Sequence, residues 1–140
     1  MRWQPTVVAR LSRVRDLRMR LAEMELTHAE LELASRRQAE QRARGEVETA
    51  LQRSRQEIAE ADRSLLTRRV GGRHGITDWH DARKRASHAV VTAQGHADEA
   101  SSERVDQELA CSTAHGRYRQ MRIDVERIKL LCGSLGGAAR

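Results

Sequence analysis

The side chains that most often bind metals or act as nucleophiles are scattered along this chain of 140 residues. They are two cysteines, Cys111 and Cys132, and six histidines, His28, His74, His80, His88, His96 and His115. No histidine shares a convincing helical face with a Cys, Asp or Glu ligand one turn away, as a zinc site requires. The sequence therefore predicts no metal site and no bound cofactor.

The glycine cluster "GGRHG", residues 71 to 75, is the only segment that suggests a phosphate-binding loop. It is too short for such a loop and lacks the Lys-Ser/Thr pair that follows one. No nucleophile elbow or carboxylate dyad appears elsewhere, and a pair of helices offers no concave pocket for catalysis. We expect a protein that is not an enzyme.

Basic side chains are concentrated near the N-terminus, in a chain whose net charge is +6. Asp16 alone offsets these arginines, which are Arg2, Arg10, Arg13, Arg15, Arg18 and Arg20. The run is either a solvated helical face or a surface for an anionic partner, such as nucleic acid or an acidic protein channel. Aromatic residues are not interleaved with the arginines, which disfavours single-stranded nucleic acid.

Trp79 is one of two tryptophans in a chain without phenylalanine. Two interpretations remain open: the ring closes the end of the hydrophobic core, or it contacts another protein, since tryptophan is enriched in binding hot spots. The basic segment Arg83–Arg85 would then form the rim of that contact.

The composition, with 33% charged and 2% aromatic residues, is typical of long helices. Helix 1 is predicted over about residues 5 to 68, with Pro5 in its first turn. A first apolar stripe, in which His28 is the polar exception, includes Val7, Leu11, Val14, Leu17, Leu21, Met24 and Leu31. The stripe resumes at Val47, Leu51, Ser54, Ile58, Ala61 and Leu65.

A tip loop is predicted at about residues 69 to 77, where Gly71, Gly72 and Gly75 end helix 1 and Thr77 or Asp78 caps helix 2. Helix 2 is predicted over about 78 to 132, followed by a flexible tail at 133 to 140. Its stripe contains Trp79, Ala82, Ala86, Ala89, Ala93, Ala97, Ala100, Arg104, Gln107, Cys111, Ala114, Tyr118, Met121, Val125, Ile128 and Cys132.

The matching stripes predict an all-α fold, a long antiparallel two-helix coiled-coil hairpin that forms a single domain over residues 1 to 140. Residues 14 to 31 are expected to face 118 to 132, and the polar interval 35 to 46 to face 100 to 111. In that interval we expect Gln38, Gln41 and Arg44 to meet Arg104 and Gln107. The cysteines are expected to be reduced and buried in the interface.

The segments "RLSRVRDLRMRLAEMEL", residues 10 to 26, and "DWHDARKRA", residues 78 to 86, resemble type III secretion stalk proteins of the YscO/HrpO (SctO) family. Flagellar FliJ is a more distant relative. The resemblance implies a cytoplasmic stalk, peripheral to the inner-membrane apparatus, that links the hexameric secretion ATPase to the cytoplasmic ring of the export gate. Family members are also linked to export chaperones.

The resemblance also implies two contact regions. The end near the ATPase would include Arg10, Arg13, Val14, Leu17, Arg20, Met121, Val125 and Ile128. The end near the export gate would include Trp79 and Arg83, although the family usually has an apolar residue at the position of Arg83.

Two alternative functions are left open. One is a basic coiled-coil adaptor or scaffold that binds nucleic acid or another protein, with nucleic acid the less favoured partner. The other is a four-helix bundle made of two chains, without a motor partner. The sequence shows no secretory signal and no segment long and apolar enough to cross a membrane, so we expect no membrane insertion and a cytosolic location.

Overall fold

The computed structural model describes residues 4 to 67 and 73 to 138, with side chains described up to residue 67 and from 75 to 134. Two helices account for nearly all of these residues: α1 spans Pro5–Thr67 and α2 spans Arg73–Ala138. They pack against each other, and the described ranges contain no strand. The predicted all-α, two-helix hairpin is therefore confirmed.

The start of α1 follows from the chemistry of proline. Pro5 is the first helical residue, where its missing N–H removes a group that would have no partner inside the helix. The N–H groups of Val7 and Val8 donate to the carbonyl oxygen of Gln4, at 2.9 and 3.2 Å. The predicted placement of Pro5 in the first turn is confirmed.

The limits of α2 differ from those that the sequence predicts. The helix begins at Arg73, so Thr77 and Asp78 lie within it and do not cap it, and Gly75 is helical. Gly71 and Gly72 lie outside the described residues. A single glycine costs a helix only about 1 kcal/mol, which a long packed helix can tolerate. At its other end α2 continues to Ala138, into the segment predicted to be a flexible tail.

The helix pair divides into two compact units, one formed by Met1–Ala34 with Asp106–Arg140 and the other by Ser35–Val105. In the first unit, an Arg15 guanidinium nitrogen donates to the carbonyl oxygen of Asp124 at 2.9 Å. The Gln107 side-chain amide donates to the carbonyl oxygen of Ala29 at 3.2 Å. The helices are therefore antiparallel in this unit. Arg15 and Ala22 contact the predicted range 118 to 132, at Asp124 and Met121, whereas Ala29 meets Gln107, which lies outside that range.

The buried stripe of α1 in the first unit is not the predicted one. The residues that face α2 are buried or half-buried and comprise Val8, Ser12, Arg15, Met19, Ala22, Leu26, Ala29 and Leu33. The predicted apolar residues from Val7 to Leu31 are exposed, from 37% at Val7 to 68% at Met24. This part of α1 carries two apolar stripes, and the one with Ala22 and Ala29 lies in the interface, since small side chains allow close helix packing. His28 is exposed as well.

In the second unit the predicted stripe of α1 is largely confirmed. Ser54 is buried, and Val47, Ile58, Ala61 and Leu65 are half-buried. Leu51 is the exception, because it is 38% exposed.

The predicted stripe of α2 is confirmed at every position except one. Ala86 is 1% exposed, and Ala97, Cys111 and Val125 are also buried. Ala89 is exposed instead. The remaining stripe residues are half-buried and comprise Trp79, Ala82, Ala93, Ala100, Arg104, Gln107, Ala114, Tyr118, Met121, Ile128 and Cys132.

A buried carboxylate occupies the polar interval of the second unit. Glu40 is 5% exposed and accepts a hydrogen bond from Arg104 on α2, while Arg44 on its own helix also pairs with it. Nearby, Arg36 pairs with Glu103 at 2.7 Å. The predicted interface positions of Arg104 and Gln107 are confirmed. Gln38 and Gln41, however, are exposed, and the acid that meets Arg104 is Glu40.

The packing at Ala86 generates a stability prediction. Ala86→Leu should lower the free energy of unfolding by about 1–3 kcal/mol, because the larger side chain cannot fit into the interface. Urea unfolding monitored by circular dichroism measures this change. Ala89→Leu is the matched control, since Ala89 lies on the same helix but is exposed. An equal loss in both variants would contradict this helix register.

The Glu40–Arg104 pair generates a second prediction. Glu40→Ala should cost about 3 kcal/mol in unfolding free energy, because Arg104 is left in the interface without this carboxylate. Replacing both residues, as in Glu40→Leu with Arg104→Met, should recover most of that loss, since apolar side chains need no charged partner there. Urea unfolding of the three proteins tests this, and a double variant no more stable than Glu40→Ala would exclude it.

Candidate interaction surfaces

The first candidate surface, here called the arginine face, consists of Arg10, Arg13, Val14, Leu17 and Arg20 on α1. All five side chains are exposed. With 3.6 residues per turn, they occupy roughly one third of the helix circumference. Sequence analysis assigned all five to one contact, and the structure places them together on one side of the helix.

The other N-terminal arginines have different surroundings. Arg15 is half-buried and donates to the Asp124 carbonyl, so it holds the two helices together rather than facing a partner. Arg18 is exposed, and Arg2 lies outside the described residues. The run that appears uniform in the sequence is therefore divided by the helix into interface and solvent-facing members.

The three α2 residues predicted for the same contact lie in the helix interface. Val125 is buried, and Met121 and Ile128 are half-buried. Met121 also lines a shallow groove of the first unit, together with Leu21 and Ala22 of α1. These three side chains pack in the interface between α2 and α1. Their assignment to a partner contact stays a prediction.

The second candidate surface, here called the Trp79 cluster, consists of Asp62, Trp79 and Arg83. The indole N–H of Trp79 donates to Oδ1 of Asp62 at 2.7 Å, and the Arg83 guanidinium approaches the same oxygen at 3.3 Å. The guanidinium carbon of Arg83 also lies 5.1 Å from the centroid of the Trp79 ring. Asp62 therefore holds the tryptophan and the arginine in one arrangement that joins α2 to α1.

Of the two interpretations of Trp79, the structure shows contact with the opposite helix, and contact with another protein stays a prediction. The indole N–H of Trp79 is hydrogen-bonded to Asp62 on α1, while the half-buried ring leaves part of its surface open to solvent. The predicted basic rim is less uniform than the sequence indicates. Arg83 is paired with Asp62, and the exposed Lys84 and Arg85 share their side of α2 with Asp78 and Asp81.

Asp62 was not singled out by sequence analysis. The alignment of the two helices identifies it, because the correct alignment places an acidic residue of α1 opposite a tryptophan and an arginine that lie one turn apart on α2. That register depends on where α2 begins. The glycine cluster predicts a start near residue 78, whereas the helix begins at Arg73.

Other chemical features are sparse in the described part of the chain. No group of three or more His, Cys, Asp or Glu side chains there could hold a metal ion. Cys111 and Cys132 are both free, the first buried and the second half-buried. Neither helix, over its described length, is apolar enough to cross a membrane.

Comparisons with protein-family models, with curated proteins and with solved structures return no match for this chain. Any statement about its function therefore depends on its own residues and on the resemblance of its two short segments.

The Trp79 cluster generates a third prediction. Asp62→Ala should lower the free energy of unfolding by about 1 kcal/mol, because a partly buried indole N–H loses its charged acceptor. In a Trp3→Phe background, the fluorescence of Trp79 should also shift to longer wavelength as the ring becomes more hydrated. The control is Asp81→Ala, which removes an exposed carboxylate from α2. Identical emission of Trp79 in all three proteins would contradict the hydrogen bond.

Proposed function

We propose that this chain is the non-catalytic central stalk of a type III secretion export apparatus. In this role it couples the hexameric secretion ATPase to the export gate. Two observations support the proposal: the resemblance of residues 10 to 26 and 78 to 86 to the stalk family, and the two-helix hairpin fold itself.

The arginine face is the main structural support for the proposal. Three arginines surround the exposed Val14 and Leu17, so one surface offers both charge and apolar area. Such a combination suits a protein channel with acidic walls, where charge guides the encounter and apolar contact adds affinity. A face that only needed solvation would not require exposed Val and Leu between its charges.

The second contact of the proposed stalk is the Trp79 cluster. A tryptophan offers a large contact area, and here its orientation is fixed by Asp62 before any partner binds. Arg83, which stands where the family usually has an apolar residue, packs over the ring and covers it with its guanidinium. We assign this cluster to the export gate.

The mechanism that follows is mechanical coupling rather than chemistry. A pair of helices inside a six-fold ring cannot contact all six subunits equally. A change of state that passes around the ring must therefore change the contacts of the stalk. In the proposed role, the stalk passes that change on to the export gate. In this role the chain acts in the cytoplasm, beside the inner-membrane apparatus, and needs no cofactor.

The arginine face provides the test of this function. Reversing Arg10, Arg13 and Arg20 to Glu should weaken binding to the hexameric ATPase by roughly tenfold or more, because attraction becomes repulsion. A pull-down followed by a titration measures the change, and circular dichroism should show unchanged helicity because all three side chains are exposed.

The matched control reverses three exposed arginines of the second unit, Arg53, Arg55 and Arg63, to Glu. It alters the net charge equally but should leave ATPase binding intact. If both triple variants lose binding to the same extent, the arginine face is not the contact.

Duplex DNA separates the stalk from the basic-adaptor alternative. A stalk should bind DNA weakly, while an adaptor for nucleic acid should bind at about micromolar affinity with a steep dependence on salt. A salt titration of DNA binding by the unmodified chain distinguishes the two.

A further inference from the structure

The exposed side of α1 in the first unit carries a second heptad stripe. Its members follow one another at steps of three, four, three, four and three residues, the spacing of a coiled-coil interface. They are Val14, Leu17, Leu21, Met24, His28 and Leu31, and all six are exposed. Here they are called the outer stripe. It lies nearly opposite the residues that pack against α2, such as Ala22 and Ala29.

In the single chain, the five apolar members of the outer stripe are more exposed than the residues of a coiled-coil interface normally are. Their exposed fractions are 44% for Val14, 62% for Leu17, 56% for Leu21, 68% for Met24 and 66% for Leu31. A helix that leaves such a continuous stripe in water gains stability when another helix covers it.

Charges beside the outer stripe identify the occupant. Residues 10 to 20 carry Arg10, Arg13, Arg18 and Arg20 around the stripe, while Glu25 and Glu32 flank its second half. The stripe thus has a basic half followed by an acidic half. A second copy that runs in the opposite direction places its acidic half against the basic half of the first, and the reverse holds at the other end.

We propose that the outer stripe is the interface for a second copy of this chain, which packs antiparallel on α1. The stripe pairs completely in one register, with Val14 against Leu31, Leu17 against His28, and Leu21 against Met24 of the other copy. That register also brings Arg18 near Glu25 of the other copy. Each of these pairs occurs twice, as a two-fold interface requires.

A parallel arrangement is disfavoured by the same charges, because its attraction between Arg20 and Glu25 is offset by repulsion between Arg13 and Arg18, whereas the antiparallel register contains no such repulsion. Glu25 already has a weak partner within the chain, because it lies 3.9 Å from Arg117. Both side chains are about half exposed or more, so water screens the existing contact and leaves the Glu25 carboxylate available.

The inference goes beyond the proposed function and does not depend on it. Val14 and Leu17 belong both to the outer stripe and to the arginine face. If the arginine face also binds an ATPase, the paired form and the bound form exclude each other. Self-association would then cover an apolar surface until the partner is present.

A charge-swap series tests the proposal with the chain alone. By sedimentation equilibrium, the unmodified chain should form a dimer, and Arg18→Glu should weaken it by roughly tenfold, because two ion pairs become two repulsions. Glu25→Arg should do the same. The double variant Arg18→Glu with Glu25→Arg should restore the dimer, since both pairs re-form with reversed charges. Mixing the two single variants should produce the heterodimer.

Two results would overturn the proposal. One is a monomer at every concentration up to about 100 µM, where even weak helix pairs associate. The other is a double variant that dimerises no better than Arg18→Glu.

An apolar pair provides a second, independent test of the outer stripe. Leu21→Ser with Met24→Ser should abolish the dimer while circular dichroism stays unchanged, because both side chains are exposed in the single chain. The control is Leu66→Ser with Val91→Ser, which removes two other exposed apolar side chains. Equal dimerisation of both variants would exclude the outer stripe as the interface.

Discussion

In the described ranges, each of the two helices has one neighbouring helix, and this constraint governs the rest of the structure. A helix with one neighbour can bury one stripe, so none of the described side chains is both large and fully buried. Among the described residues Ala86 is the most buried, and several other alanines accompany it. Small side chains allow the helices to approach closely, while half-buried Leu, Ile, Met and Tyr fill the edges. Stability therefore depends on many modest contacts rather than on a dense core.

A narrow interface of small apolar residues specifies alignment weakly, because a shift by one heptad places similar residues opposite each other. Polar contacts supply the missing specificity. Glu40 meets Arg104 inside the interface of the second unit, and Trp79 and Arg83 share the Asp62 carboxylate. In the first unit, Arg15 and Gln107 reach main-chain carbonyls of the opposite helix. The contacts between side chains require particular residues opposite each other, so they fix the register in the second unit. The contacts with main-chain carbonyls stabilise the first unit without selecting one register, because every residue of the opposite helix offers such an acceptor.

The same constraint explains why the candidate functional surfaces lie where they do. With one stripe of each helix buried, the remaining faces stay open, and the arginine face and the outer stripe occupy such faces of α1. Val14 and Leu17 belong to both, so in the proposed roles the same residues would serve recognition of a partner and self-association. The Trp79 cluster differs, because its side chains hold the two helices together and also leave part of the Trp79 ring open to solvent. In the proposed role, a change there would alter stability and recognition together, whereas changes of the exposed residues on α1 would separate the two.

The sequence alone determined the helical class, the pairing of two helices, the start of α1 at Pro5 and nearly the whole interface stripe of α2. These follow from local preferences and from periodicity, which a single helix expresses without its neighbour. Tertiary structure decided which of the two stripes of α1 became the interface, since periodicity marks both and only packing against α2 favours Ala22 and Ala29 over Leu21 and Met24. It also decided that Gly75 would be helical and that Asp62 would meet Trp79, because these depend on where the second helix begins and which residues then lie opposite.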